Sequence, residues 1–296
     1  MSFRYEKAKA LNSNAKEFDP REIRRLIETL RPSDRVDPDV LSPENLKRMA
    51  SYASIVPRAS GRRACLLDVG GRVYWIPVYA KLLGYHHVTI LERPGGSFFE
   101  SFQIPGNGEE FIADTVQADA ELDIYPVQSE SFQCVVCFDV LEHLAGDPMH
   151  FVAESNRVLQ KGGYLCLATP NVLYYPNLVS FLFGGHPFSW SVFTDSYADR
   201  HNREYTPMEV QALLEAGGFS IESLRTWTNK PTQDQRIRFL GYGLCLLAAL
   251  TGHVKLGLRG AEIEIRGQKV DLIKERFPKF LYDLFGANAV SVKLRI

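Results

Sequence analysis

The sequence has no excess of charge of either sign. Its 296 residues include 34 lysines and arginines against 35 aspartates and glutamates, for a formal net charge of −1. A protein dedicated to nucleic acids usually carries a strong basic excess on one face, so no nucleic-acid partner is expected. The N-terminal residues also lack the apolar run of a secretory signal peptide, and this absence predicts a cytoplasmic protein.

Apolar runs long enough to cross a membrane are missing as well. The insertion at residues 230–260 contains RFLGYGLCLLAALTG, which is shorter than the ~20 residues that span a bilayer. We therefore expect no transmembrane segment and predict that this stretch forms a buried or interfacial helix. Contact with a second copy in a homodimer and docking on a membrane are the alternatives for it.

Cysteine is scarce, and its five residues are scattered along the chain. Cys134 and Cys137 do form a C-x-x-C pair, but they lie within CVVCFD, an apolar run that predicts a buried strand. Zinc-binding pairs usually lie on turns and need a second pair of ligands. The two cysteines are therefore predicted to be core thiols rather than a metal or redox site.

The order of apolar segments indicates an α/β fold. Residues 1–60 predict an N-terminal helical extension, because Asp19-Pro20 and Ser42-Pro43 are helix-start signals. Residues 61–296 then alternate short apolar strands with helices, which is typical of a doubly wound, mostly parallel sheet. The seven predicted strands are ACLLDVG, HVTILE, FIADTVQAD, CVVCFD, GYLCLATP, FSIESLRTW and AEIEIRGQKV.

Acidic residues end four successive predicted strands. They are Asp68, Glu92, Asp119 and Asp139, and a parallel sheet brings such strand ends to one crevice. An acidic residue about 20 positions after the first strand commonly binds ribose hydroxyls there. The G-x-G-x-x-G loop that holds a dinucleotide pyrophosphate is missing after Asp68, so a nicotinamide-dependent oxidoreductase is disfavoured.

These features together resemble class I S-adenosylmethionine-dependent methyltransferases. The segment Asp139–His143 supplies their Asp-Val-Leu-Glu-His motif, and Thr169-Pro170-Asn171 matches the strand that follows. The resemblance covers about residues 66–171 and extends to about residue 219. The later stretch from Arg259 is more weakly similar to methyltransferases of bacterial surface-polysaccharide gene sets.

The resemblance implies S-adenosylmethionine as the cofactor and a role for each strand end. Asp68, Gly70 and Gly71 would line its methionine portion, with Asp139 beneath, and Glu92 would hold the ribose diol. Asp119 and Ala120 would approach the adenine amino group. The family usually has glycine where this chain has Arg72 and Tyr74, so a catalytically impaired, methyltransferase-like binding protein is the alternative.

The acceptor side is less defined. His143 follows the fourth strand and is the first candidate for the catalytic base, with His201 as the second. Residues 171–205 interrupt the strand–helix alternation and predict a cover over the acceptor. Glu142 beside His143 offers only two metal ligands, so no metal is expected. The predicted reaction is methyl transfer to an oxygen or nitrogen of a small-molecule or saccharide acceptor.

Overall fold

The computed structural model describes residues 18–28, 38–61, 63–96, 102–105, 110–186, 200–229, 233–250 and 258–282. The part of the predicted cover that contains Phe188, Trp190, Asp195, Tyr197 and Asp199 lies outside these ranges. Within the described part of the chain, no helix combines the length and apolar character that a membrane crossing requires.

One mixed sheet forms the centre of the described chain. Its strands are β1 (Cys65–Val69), β2 (His87–Glu92), β3 (Phe102–Pro105), β4 (Glu110–Gln117), β5 (Phe132–Phe138), β6 (Leu159–Pro170), β7 (Phe219–Trp227) and β8 (Glu262–Lys269). Their order across the sheet is β3-β4-β2-β1-β5-β6-β8-β7. Strands β4, β2, β1, β5 and β6 run parallel, while β3, β8 and β7 pair antiparallel with their neighbours. The seven predicted strands are all present.

Strand β3 is an addition that the sequence pattern did not reveal. It is four residues long and pairs with β4 through the register Phe102↔Ala113 to Pro105↔Glu110. Its position at the sheet edge leaves it only one neighbouring strand. A strand this short offers too few alternating positions to be recognised from hydropathy.

Helices cover both faces of the sheet. They are α1 (Pro20–Ile27), α2 (Pro43–Ile55), α3 (Pro148–Val158), α4 (Tyr175–Leu182), α5 (Pro207–Ala216), α6 (Gln235–Leu250) and α7 (Lys279–Tyr282). The apolar residues of α1 and α2 belong to the core on one face, and those of α3 and α5 to the core on the other. The predicted N-terminal helices therefore form part of the layer that packs on the sheet.

Helix caps lie where the sequence signals predicted them. The Asp19 side chain accepts a hydrogen bond from the backbone N–H of Arg21, and the Ser42 side chain accepts one from the N–H of Asn45. Thr206 and Glu209 form the reciprocal capping box at the start of α5. These bonds satisfy N–H groups that the first helical turn leaves without partners.

The predicted helix from Tyr74 to Leu83 is present but irregular. A 3-10 turn at Val73–Trp75 leads into a π-helical turn at Val78–Leu82. Pro77 lies at the junction and has no backbone N–H to donate, so a regular α-helical ladder is interrupted there.

The C-x-x-C pair belongs to the core. Cys134 packs in the cluster on the α1–α2 face of the sheet, whereas Cys137 packs in the cluster on the opposite face. Side chains three positions apart in a strand point to opposite sides, so the two thiols cannot share one metal ion. Both are buried free cysteines, in agreement with the prediction.

Candidate functional site

The acidic strand ends surround two adjoining clefts at one edge of the sheet. The larger cleft, of about 1010 Å³, is bordered by residues that follow β1, β2, β4 and β5. The smaller, of about 240 Å³, lies between β1, β5 and helix α2. Gly70, Arg72 and Asp139 line both clefts, which therefore adjoin at these residues. The predicted residues on the larger cleft are Gly70, Glu92, Asp119, Ala120, Asp139 and His143, and those on the smaller one are Asp68, Gly70, Gly71 and Asp139.

The turn after β1 is built from two glycines that wrap around Asp68. Gly70 has a φ of +70°, and a β-carbon there would lie 2.6 Å from the Val140 side chain. A β-carbon on Gly71 would collide with the Asp68 carboxylate. Both positions therefore need glycine to keep the backbone close to the strand ends.

Asp68 is buried between the glycine turn and Tyr79. The Tyr79 hydroxyl donates to Asp68 Oδ2 over 3.0 Å. The pKa of Asp68 is raised to about 8. Burial is the main cause, the charge of Glu92 acts in the same direction, and the Tyr79 hydrogen bond partly opposes both. At neutral pH the acid is therefore mostly protonated and adds little negative charge to the cleft.

Glu92 and Asp119 border the larger cleft from adjacent strands. Glu92 is buried, its carboxylate accepts the N–H of Arg93, and a β-carbon on Gly96 would lie 2.5 Å from it. Asp119 Oδ1 accepts the N–H of Glu121 over 2.8 Å, which fixes the turn after β4. Ala120 lies on the same turn and lines the same cleft.

Asp139 has an unusual backbone and two partners from helix α2. Its φ is +55°, in the left-handed region that non-glycine residues seldom adopt. The Tyr52 hydroxyl donates to Asp139 Oδ1 over 2.7 Å, and Arg48 Nη1 lies 3.2 Å from Oδ2. This geometry aims the carboxylate at α2 and places Arg48 on the wall of the smaller cleft.

Sequence motifs did not reveal Arg48 and Tyr52 as site residues. They lie four positions apart, so they share one face of α2. Neither belongs to a recognisable motif, and only the packing of α2 against the sheet edge brings them to Asp139. Their four-residue spacing could have predicted that Arg48 and Tyr52 share a helix face, but it could not have predicted that they lie beside the strand ends.

A cluster of ionisable side chains lies beyond Asp139. Glu142 is buried and accepts a hydrogen bond from the Thr169 hydroxyl over 2.9 Å. Burial and the nearby Asp139 charge raise the pKa of Glu142 well above its ordinary value. The rings of His143 and His201 meet edge to face with centroids 4.9 Å apart. The structure thus brings together both histidines that the sequence nominated as bases.

Each histidine is held by a specific contact. His143 Nδ1 lies 3.0 Å from the backbone oxygen of Arg200, and the Asn202 side chain donates to the His143 carbonyl. His201 Nδ1 lies 2.7 Å from Glu204 Oε1. His143 borders the larger cleft, which His201 does not line. The other cover histidine in the described chain, His186, is exposed at the end of α4.

The same cluster has the composition of a metal site. Ligand atoms of Glu142, His143 and His201 lie within 4.8 Å of one another. The sequence offered only the first two, because His201 is 58 positions further along the chain. Three ligands of this kind are a sufficient set for a divalent ion.

Comparisons with known proteins agree with the predicted family. Residues 79–167 match the family model of a methyltransferase domain. A protein of Mycolicibacterium smegmatis described as a probable S-adenosylmethionine-dependent methyltransferase is 36% identical over 98 residues, which are 33% of this chain. The match spans about a third of that relative, 32% of its length.

Solved structures of methyltransferases are similar at low identity. An S-adenosylmethionine-dependent methyltransferase from Mesorhizobium loti is 17% identical with a TM-score of 0.44, covering 74% of this chain and 95% of its own. One from Aquifex aeolicus is 14% identical with a TM-score of 0.41, covering 86% and 100%. The family match lies within the doubly wound sheet described above. The sequence match therefore places a methyltransferase domain at residues 79–167, and S-adenosylmethionine is the cofactor that the matched family and relative imply.

Proposed function

We propose that the chain transfers a methyl group from S-adenosylmethionine to an oxygen or nitrogen of a small-molecule or glycan-type acceptor. The observation that carries this proposal is the pair of adjoining clefts, one bordered by acidic strand ends and the other by the glycine turn after β1. The first suits a nucleoside and the second an amino-acid moiety, which are the two halves of the cofactor.

The residues of the larger cleft fit adenosine. Glu92 is proposed to accept hydrogen bonds from both ribose hydroxyls, because it ends β2 as in other nucleotide crevices. Asp119 and Ala120 are proposed to approach the adenine amino group from the turn after β4. Gly70 belongs to both clefts, where the missing side chain leaves room for the bond between ribose and sulfur.

The residues of the smaller cleft fit a methionine moiety. Such a moiety carries one ammonium and one carboxylate, and the cleft offers Asp139 for the first and Arg48 for the second. Asp68, Gly70 and Gly71 form its floor. Arg48 was not among the predicted cofactor residues, and we propose it as the carboxylate-binding group because its guanidinium lines this cleft.

Backbone geometry removes one of the two grounds for the impaired, non-catalytic alternative, which are Arg72 and Tyr74. Arg72 occupies a position where the family usually has glycine, but its φ of −123° and ψ of 147° are extended values that any residue adopts. Its side chain therefore causes no backbone strain. Arg72 also lines both clefts, so it adds a second positive charge near the methionine site instead of blocking it.

Glu262, the first residue of β8, is proposed as a contact for a polar acceptor. Its Oε2 is buried and, among the described residues, accepts no hydrogen bond. Burial and the Asp139 charge raise the pKa of Glu262 to about 8, while Arg48 lowers it. A buried carboxyl oxygen without a partner is costly. A hydroxyl or amine of the acceptor would satisfy it.

The proposed mechanism relies on positioning and one proton transfer. The bound cofactor supplies an electrophilic methyl group on a positively charged sulfur. The residues of the two clefts would hold the cofactor in a single orientation, which would leave its methyl group open to attack by the acceptor atom. His143 is proposed to remove the acceptor proton, because it lines the larger cleft and its ring is oriented by the Arg200 carbonyl.

Calorimetric titration tests the cofactor half of this proposal. The full chain is titrated with S-adenosylmethionine and with its demethylated product S-adenosylhomocysteine. Saturable heat with both ligands in the micromolar range supports an active methyltransferase. No heat up to millimolar ligand would instead support the non-catalytic alternative.

Replacing Arg48 with glutamine is expected to weaken S-adenosylmethionine binding by roughly tenfold, because a charge-assisted bond to the ligand carboxylate is lost. Decarboxylated S-adenosylmethionine supplies the matched ligand, and the variant should bind it as wild type does. The control is Lys47→Gln, an exposed cation on the same helix. An Arg48→Gln variant that still discriminates between the two ligands would remove Arg48 from the carboxylate site.

Replacing His143 with alanine is expected to lower kcat about 100-fold or more on an accepted substrate while leaving cofactor affinity within about threefold. His201→Ala should have a smaller effect, and His150→Ala on α3 is the matched control. We expect no metal requirement, so dialysis against a chelator should leave the rate unchanged. Activity that is lost on chelation and restored by a divalent cation would assign Glu142, His143 and His201 to a metal site instead.

A further inference from the structure

Helices α4 and α6 present a continuous apolar surface that the described part of the chain leaves uncovered. Phe239 is 85% exposed and Leu247 is 64% exposed, although both are large apolar side chains. The C-terminal residues of α4 contribute further exposed aromatics and leucine. We call this surface the α4–α6 face, and its exposed members are Leu182, Phe183, Phe239, Tyr242, Leu246, Leu247 and Leu250.

The α4–α6 face is held in place by close packing between the two helices. The rings of Tyr175 and Tyr242 stack with centroids 5.1 Å apart. A β-carbon on Gly241 would lie 2.5 Å from the Tyr175 ring, so glycine permits the close approach. Cys245, one turn later, is buried. Among the residues of α6 whose burial is described, Gly241 and Cys245 are buried, whereas the large apolar side chains from Phe239 to Leu250 that belong to the face are exposed.

Cations lie beside the face at the start of α6. Residues 235–250 contain Arg236 and Arg238 but no aspartate or glutamate, and residues 171–185 contain no charged side chain. Arg236 and Arg238 are exposed in the first turn of α6, immediately before Phe239. Asp234 precedes α6, and its side chain accepts the backbone N–H groups of Arg236 and Ile237.

We propose that the α4–α6 face docks in the plane of an anionic lipid bilayer surface. Exposed apolar side chains next to cations are what an interfacial helix needs, because the former enter the acyl boundary and the latter pair with headgroups. Helix α6, at 16 residues, is too short to cross the bilayer and lies along it. A second copy fits less well, because it would bring another set of arginines toward the first.

Vesicle sedimentation tests this proposal with the full chain. Vesicles contain either phosphatidylcholine alone or phosphatidylcholine with 30% phosphatidylglycerol (roughly the anionic fraction used to model a negative membrane surface). Wild type is expected to partition at least about tenfold more strongly onto the anionic vesicles. The double variant F239D/L247D should reduce that partitioning by about tenfold or more, because charged side chains cannot enter the acyl boundary.

Two controls separate the proposed cause from others. Leu272 is 72% exposed but lies outside the face. The Leu272→Asp variant should therefore bind vesicles as wild type does. The R236Q/R238Q variant should lose roughly tenfold on anionic vesicles and little on neutral ones. Thermal unfolding by circular dichroism and S-adenosylmethionine affinity verify that each variant is folded.

Three results would overturn the proposal. The first is wild-type protein that remains in solution with both kinds of vesicle. The second is a loss of vesicle binding in Leu272→Asp as large as that in F239D/L247D. The third is a dimer in sedimentation velocity that F239D/L247D dissociates while no vesicle binding occurs, which would assign the face to a second copy.

Discussion

Replacing Glu92 with glutamine is expected to weaken S-adenosylmethionine binding by about 100-fold. The glutamate is buried at the end of β2 with its carboxylate on the larger cleft. Two hydrogen bonds from ribose hydroxyls to a charged acceptor each contribute about 1.5–3 kcal/mol, and glutamine keeps one neutral acceptor oxygen. Calorimetric titration measures the change directly.

The ribose assignment needs a control for the residue and one for the ligand. Glu222→Gln removes a carboxylate that pairs with Arg266 and does not line either cleft, so it should leave affinity unchanged. Wild type should bind S-adenosylhomocysteine much more tightly than its 2′,3′-dideoxy analogue, whereas Glu92→Gln should bind the two ligands with similar affinity. A variant that binds both cofactor forms as wild type does would refute the assignment.

Replacing Gly71 with alanine is expected to abolish measurable cofactor binding, a loss of at least about 100-fold. The new β-carbon has no room, because it would collide with the Asp68 carboxylate at the floor of the smaller cleft. Either the turn after β1 or the Asp68 side chain must move, and both border the methionine site. A forced rearrangement of this kind typically costs 1–3 kcal/mol in stability as well.

Two further variants separate a local effect from unfolding. Gly243→Ala adds the same methyl group where nothing lies within 4 Å, and it should leave both stability and cofactor affinity close to wild type. Adding Asp68→Ala to Gly71→Ala removes the obstacle, so the double variant should unfold at a higher temperature than Gly71→Ala alone. Full affinity in the single variant would show that the glycine turn does not hold the cofactor.

Local patterns predicted most of the framework because each depends on neighbouring residues. The Thr206–Glu209 capping box, the strand HVTILE and the turn at Gly70 all follow from interactions within a few positions. The sequence could also predict that Asp68 and Asp139 lie at the same edge of the sheet, because parallel strands run in the same direction. Strand β3 escaped prediction, since four residues at a sheet edge carry too little pattern.

Hydropathy patterns and short motifs did not predict the contacts between segments that are distant in the sequence. Tyr52 and Asp139 are 87 positions apart, yet they share a hydrogen bond of 2.7 Å. His143 and His201 meet although 58 positions separate them, and this meeting turned a two-residue metal candidate into a set of three. No local signal encodes such pairs, because they depend on how helix α2 and the segment after α4 pack.

The sequence by itself determined the α/β class, the helix starts, the strand ends and the resemblance of the central segment to methyltransferases. These depend on hydrophobic period, turn residues and short motifs, which act over a few positions and need no folded context. The tertiary structure decided which side chains complete the clefts and which apolar surface remains outside. Both outcomes depend on the packing of whole elements, since burial and partnership are properties that a residue acquires only when the chain is folded.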